Sequence, residues 1–274
     1  MDVELVRLDR DHPGFRDEAY RARRNAIAQL ALRHRIGSPV ADVEYVPGEH
    51  AVWRTVLDHL RPLHERYACA AYRDAFPRVG LDAPEVPSFE AVNQRLSAVS
   101  GFRLEPVGGL VSAATFMQHL ERRVFLATQY MRHESAPLYT PEPDVVHELV
   151  GHAPLLLDPG FAEVNRLFGA ATRAVLEAGG DPERIEALIR TYWYTLEFGV
   201  ARGPTGLEVY GAGLLSSFGE LGRFEASADL RPFDLDAIAK EPFDPTDYQR
   251  VLFVAPSVEE ALAALVARLS PLSR

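Results

Sequence analysis

The chain has 274 residues, 47% hydrophobic and 25% charged, with a formal net charge of −10. That size fits one large domain or two small ones, and the acidic surplus excludes non-specific nucleic-acid binding. No apolar run approaches the ~20 residues of a membrane span, and the single cysteine, Cys69, excludes an intrachain disulfide and a cysteine-rich zinc or iron–sulfur site.

At the N-terminus, early acids stand where a signal peptide would be apolar, so none is expected, and with the lone cysteine this suits a reducing cytoplasm. Residues 20–35 then read as a basic helix with Ile27, Ala31 and His34 at helical spacing and a solvated arginine face. Trp53, Val56, Leu57 and Leu60 form a second stripe that continues through Leu63 and Tyr67; Pro77, Pro84 and Pro87 punctuate the stretch after it. Residues 104–111 and 124–128 are short β-prone runs around a helix near 115–122. Asp144 is placed to cap a helix starting at Val145. Asp158-Pro159 and Asp181-Pro182 are two further helix starts. The stripe from Phe161 to Val175 ends at Gly179-Gly180, and the stripe from Ile185 to Leu196 ends before Gly199. Ser257 and Glu260 form a capping box for the last helix. The fold expected is mainly α with a few short strands.

His147 and His152 are the candidate metal ligands in the segment Pro-Asp-Val-Val-His-Glu-Leu-Val-Gly-His, and Glu197 comes later in the chain. Two imidazoles and one carboxylate can hold a metal on one face and leave the other open, the donor set of non-heme Fe(II) oxygenases. The string also resembles the zinc-protease pattern His-Glu-x-x-His. There the histidines are four apart, about 40° round a helix; here they are five apart, about 140°. They converge only if the helix bulges or ends near Gly151, a distortion that Pro154 favours. Glu197 falls at the border of its helix's apolar face, where a solvated edge residue is the alternative to a ligand. Satisfied core histidines are the alternative for His147 and His152, and His119 and His133 read as structural.

Four blocks then carry a resemblance. They are Thr-Gln-Tyr-Met-Arg-His (128–133), the stretch 139–152 that contains the two histidines, Tyr-Trp-Tyr-Thr-Leu-Glu-Phe-Gly (192–199) and Tyr-Gly-Ala-Gly-Leu-Leu-Ser-Ser-Phe-Gly-Glu-Leu (210–221). With them the chain resembles the pterin-dependent aromatic amino acid hydroxylases over about residues 13–270, nearest to the members that act on phenylalanine. The resemblance implies a single catalytic domain, 1–274, without the regulatory domain or tetramerisation tail of animal members, so a monomer or dimer. It implies Fe(II) on His147, His152 and Glu197, a tetrahydropterin as electron donor and O₂ as co-substrate. Gly109, Leu110, Val111 and Ser112 would read the pterin edge, Phe116 would stack on its ring, and Glu148 would face it through water. Tyr192 would line the iron pocket, and with Glu148 is the candidate catalytic group.

For the substrate, the resemblance implies that Arg132 binds the carboxylate with Asp144 behind it, and that Thr140 and Ser216 hydrogen-bond it. Pro143, Trp193 and Phe198 would pack on the ring. Without the family, Phe116 and Trp193 read as core aromatics. Tryptophan-specific members carry Phe where Trp193 stands. Tyrosine-specific members carry an Asp where Pro245 stands, next to Asp244, so the expected reaction is hydroxylation of L-phenylalanine to L-tyrosine. The same chemistry on tyrosine or tryptophan, or at the meta position, is the near alternative. A zinc hydrolase on His147, Glu148 and His152 is the alternative of another class, and a silent amino-acid-binding scaffold is the third.

Overall fold

A computed structural model describes residues 8–109 and 111–273. Asp17 opens α1 (Glu18–Arg33) by accepting from Tyr20 N. Next come α2 (Pro47–Tyr67), α3 (Ala70–Arg78) and α4 (Phe89–Val99). Contrary to expectation, the arginine face of α1 is solvated only in part: Arg33 is exposed, but two arginines are engaged. Arg24 is 2% exposed, lies 3.6 Å over the Tyr130 ring and pairs with Glu142 at 2.8 Å, while Arg23 pairs with Glu49. Charge pattern cannot reveal this, because the partners lie on other segments.

The two β-prone runs become β1 (Arg103–Pro106) and β2 (Val124–Ala127), which pair in parallel, Arg103 opposite Val124. Between them Ser112 caps α5 (Ala113–Leu120). After Asp144 the chain runs helically into α6 (Ala153–Leu157), then α7 (Pro159–Glu177), capped by Asp158, and α8 (Pro182–Tyr192), capped by Asp181. These starts are the ones that the Asp-Pro pairs predict.

The last third alternates β3 (Val200–Arg202), β4 (Leu207–Val209), α9 (Ala212–Ser216), α10 (Phe218–Leu221), α11 (Phe224–Ser227), β5 (Asp229–Pro232), α12 (Leu235–Ile238), β6 (Val251–Ala255) and α13 (Val258–Leu269). The four strands make one sheet in the order β4–β3–β6–β5, antiparallel between β3 and β4 and parallel elsewhere. One apolar core joins Trp53 and Leu60 of α2, Phe89 of α4, Phe168 of α7 and Leu265 of α13. It encloses the segments that carry the histidines: Leu149 and Val150 are fully buried within it. No described helix is long and apolar enough to cross a membrane.

Candidate metal centre

Asp144 begins the site. Its Oδ1 accepts from His147 N at 3.2 Å, which is the expected cap, and the carboxylate also receives Arg132. The helix that it caps is not regular. His147–His152 form a π-helical turn, in which Ala153 N donates to Glu148 O, five residues back. Bonding at i→i+5 widens the turn and brings residues five apart onto one face. The offset that excludes a regular helix is thereby satisfied: the two rings meet edge to face at 4.8 Å, their Nε2 atoms 3.1 Å apart.

The second segment uses the same device. Instead of running on as α-helix, α8 gives way to a π turn, Trp193–Glu197, and Phe198 N donates to Trp193 O. Glu197 then lies 3.2 Å from His152 Nε2 and 3.7 Å from His147 Nε2. Donors at right angles round an ion, with bonds of about 2.1 Å, lie about 3 Å apart. The three separations therefore fit three donors on one face of a metal.

The protonation pattern fits at His147 and Glu197, whereas at His152 burial lowers the pKa but Glu197 outweighs it and raises it above its usual value. Ser216 Oγ donates its only hydrogen to Ala212 O at 2.8 Å, so in its 2.9 Å contact with His147 Nδ1 it is the acceptor. His147 therefore carries its proton on Nδ1, which leaves the Nε2 lone pair facing the cluster. Burial, then the neighbouring His152, pushes the His147 pKa down to about 4, so the ring is neutral. Burial works against the charge of Glu197, but His152 and His147 outweigh it and hold that carboxyl below its usual range.

Glu148 also lies within 4.8 Å of both histidines in ligand-atom distance. Its Oε1, however, accepts from Thr128 N and Thr128 Oγ1, each at 3.0 Å, and its carboxyl is pushed up to about 7 by burial. That anchor, with the shorter distances of Glu197, favours Glu197 as third donor. Two close backbone contacts hold the arrangement: a Cβ on Gly151 would lie 2.6 Å from Ala212 O, and one on Gly211 would lie 2.5 Å from Glu197 O. Only glycine lets α9 touch both π turns this closely.

A cleft of about 330 Å³ opens on His147 and Glu197 and is lined also by Arg132, Thr140, Pro143, Trp193, Phe198 and Ser216. Arg132 gives Nε and Nη2 to Asp144 at 2.9 and 2.8 Å, a side-on fork. Its Nη1 makes only a 3.4 Å contact, with Pro137 O, so an N–H edge remains for an anion. Trp193 stacks on Phe243 at 4.2 Å and tilts against Phe198 at 4.8 Å. Pro245, Thr246, Asp247 and Tyr248 close the cleft, whereas Asp244 does not line it and accepts from Thr246 N and Oγ1 instead.

Three of the expected site residues hold partners within the chain. Ser216 Oγ gives its hydrogen to Ala212 O at 2.8 Å and meets His147 Nδ1 at 2.9 Å. Thr140 Oγ1 likewise donates to Glu142 O at 2.9 Å. Tyr192 does not line the cleft; its hydroxyl donates to Asn165 Oδ1 at 3.1 Å and its ring packs on Phe116 and Phe168. Of the pterin candidates, Phe116 meets Phe125 edge to face at 5.0 Å, and Phe125 lies 4.5 Å from the His152 ring. Gly109 has open space where a side chain would be, Val111 is exposed, and Ser112 is occupied as the cap of α5. Leu110 lies outside the described residues. None of the described ones lines the cleft.

Two functional side chains escape the sequence reading. Thr128 anchors Glu148. Gln249 accepts from Trp193 Nε1 at 2.9 Å and donates to Asp244 O and Asp247 O, so it fastens the closing loop to the aromatic wall. A lone uncharged Gln in a loop carries no spacing or charge signal that would expose it.

The donor set is that of mononuclear non-heme iron proteins. The chain belongs to the biopterin-dependent aromatic amino acid hydroxylase family, which it matches over residues 3–274. It is 42% identical to human phenylalanine-4-hydroxylase over 259 residues, covering 93% of this chain and 56% of that enzyme. Mouse tyrosine 3-monooxygenase is equally similar, 42% over 259 residues, with 51% of that enzyme covered. The chain thus spans about half the length of these relatives. Among solved structures it is similar to phenylalanine hydroxylase from Chromobacterium violaceum bound to cobalt (TM-score 0.77, 31% identity, 92% of this chain and 90% of that one). The same bacterial enzyme with iron(III) and 7,8-dihydrobiopterin gives a TM-score of 0.74 at 33% identity, covering 83% of this chain and 82% of that one.

Proposed function

We propose that this chain is a tetrahydropterin-dependent monooxygenase that hydroxylates the ring of L-phenylalanine to L-tyrosine. The observation that carries the reading is the convergence of His147 Nε2, His152 Nε2 and Glu197 beside a cleft with a guanidinium and an aromatic wall. These three residues hold Fe(II). Iron and tetrahydropterin, when bound, supply the reductive activation of O₂ that puts one oxygen atom on the ring and the other on the pterin. The chain's own work is placement. Arg132, braced by Asp144, takes the amino-acid carboxylate on its free N–H edge, and Pro143, Trp193 and Phe198 hold the ring. Ser216 fixes the tautomer of His147. Gly109, Leu110, Val111 and Phe116 take the pterin, with Glu148 facing it. Phenylalanine is favoured over tyrosine because Pro245 lines the cleft while the carboxylate of Asp244 is occupied with Thr246.

The test is anaerobic iron loading, then O₂ with tetrahydropterin and each of phenylalanine, tyrosine and tryptophan, with products identified by mass and NMR. Tyrosine should form from phenylalanine, with iron, reduced pterin and O₂ all required, and His147→Ala should lose at least a hundredfold in rate. Full activity in that variant, or a hydroxylated product from tyrosine alone, would sink the reading.

A further inference from the structure

Each element at the back of the centre has a backbone carbonyl that takes a hydrogen bond from a side chain of another helix. Val150 lies where the π turn passes into α6, and Pro154 has no N–H with which to make the α-helical bond to its carbonyl. Leu215 lies in the last turn of α9, where carbonyls have no partner within the helix. Both residues are fully buried, and an unpaired carbonyl there is costly. Tyr72 of α3 donates its hydroxyl to Val150 O at 2.8 Å, and His64 of α2 donates Nε2–H to Leu215 O at 2.7 Å. The two rings touch edge to face at 5.0 Å, and both side chains are buried. Neither residue lines the cleft. One grips the turn between His147 and His152; the other grips the residue before Ser216, which itself fixes His147.

We propose that Tyr72 and His64 are positioning residues of the metal centre: as a coupled pair they set the π turn that carries both histidines against the helix that carries Ser216. The inference rests on the reading of His147, His152 and Glu197 as metal ligands.

Co(II) is the probe, because its affinity and its visible spectrum both report ligand placement. The full chain would be titrated with Co(II) by calorimetry and absorption, alongside urea unfolding of the metal-free form. Tyr72→Phe removes one hydroxyl and should weaken Co(II) binding about tenfold and shift the absorption bands. His64→Leu should do the same, and His64→Gln, which keeps an N–H donor, should recover most of the affinity. Val175→Ala, a core truncation in α7, should lower unfolding stability and leave both metal readouts unchanged. Wild-type affinity and spectrum in Tyr72→Phe and His64→Leu overturn the inference. An affinity loss in Val175→Ala that matches theirs at equal loss of stability overturns it too. If Tyr72→Phe does not fold, the contrast between His64→Leu and His64→Gln decides alone. A wild-type chain that binds no Co(II) overturns the metal reading itself.

Discussion

Ser216 has one hydrogen to give, and Ala212 takes it. Ser216 lines the cleft, but its contact with His147 comes from the backbone path of α9, which no residue pattern encodes. Arg132 and Asp144 are more legible, since an Arg–carboxylate fork in a family block leaves few other geometries. His64 shows the opposite case: a scattered histidine by sequence, it lies buried against Tyr72, Phe76 and the Leu215 carbonyl. Arg61, Glu65, Arg73 and Asp82 line the same recess. Burial pushes its pKa down from 6.5 to about 4, opposed only in part by the Leu215 bond. The unfolded chain therefore takes up a proton below pH 6.5 that the folded chain accepts only near pH 4. Stability should fall as the pH drops through that window, by about 3 kcal/mol, and this contribution should be constant below it. Urea midpoints of wild type and His64→Gln between pH 7 and 4 measure it. Equal slopes in the two proteins would refute the assignment.

Among the elements, helix starts are the most readable feature, because Asp158, Asp181 and Ser257 act through local hydrogen bonds to the next turn. The π turn at His147 is half readable: an offset of five demands a distortion, and Pro154 says where. The turn at Trp193 is not readable, since the apolar stripe runs on smoothly into it. The four-stranded sheet escapes for a plainer reason: its strands span three to five residues, too few for an alternation to register. Gly151 is where two elements depend on one missing atom. Gly151→Ala would place a methyl 2.6 Å from the Ala212 carbonyl, and backbone cannot rotate away as a side chain can. The expected cost is roughly 1–3 kcal/mol of stability, with a loss of Co(II) affinity because α9 and the π turn separate. Differential scanning calorimetry and the Co(II) titration check both effects; a variant with wild-type values in each would mean that α9 is not held by this contact.

For the molecule as a whole, the three donors come from two segments 45 residues apart, between His152 and Glu197, joined through α7 and α8. A metal bound there ties both to the core and stabilises only the folded chain. At a hundredfold excess over its Kd, Fe(II) or Co(II) should add about 2.7 kcal/mol, which is several degrees of Tm for a domain of this size. Chelation should reverse the gain, and Glu197→Ala should abolish most of it. A Tm indifferent to metal would contradict the three-donor centre.

Gln249 marks the line along which this architecture divides. The donors of the centre ride on helical segments locked into the core, whereas the far wall of the cleft is a loop without helix or strand, tied to Trp193 by the Gln249 side chain and to Glu220 by the Gln249 backbone. Loops of this kind tolerate exchange where packed helices do not. An exchange in this loop would redraw one wall of the cleft and leave the segments of His147, His152 and Glu197 where they are.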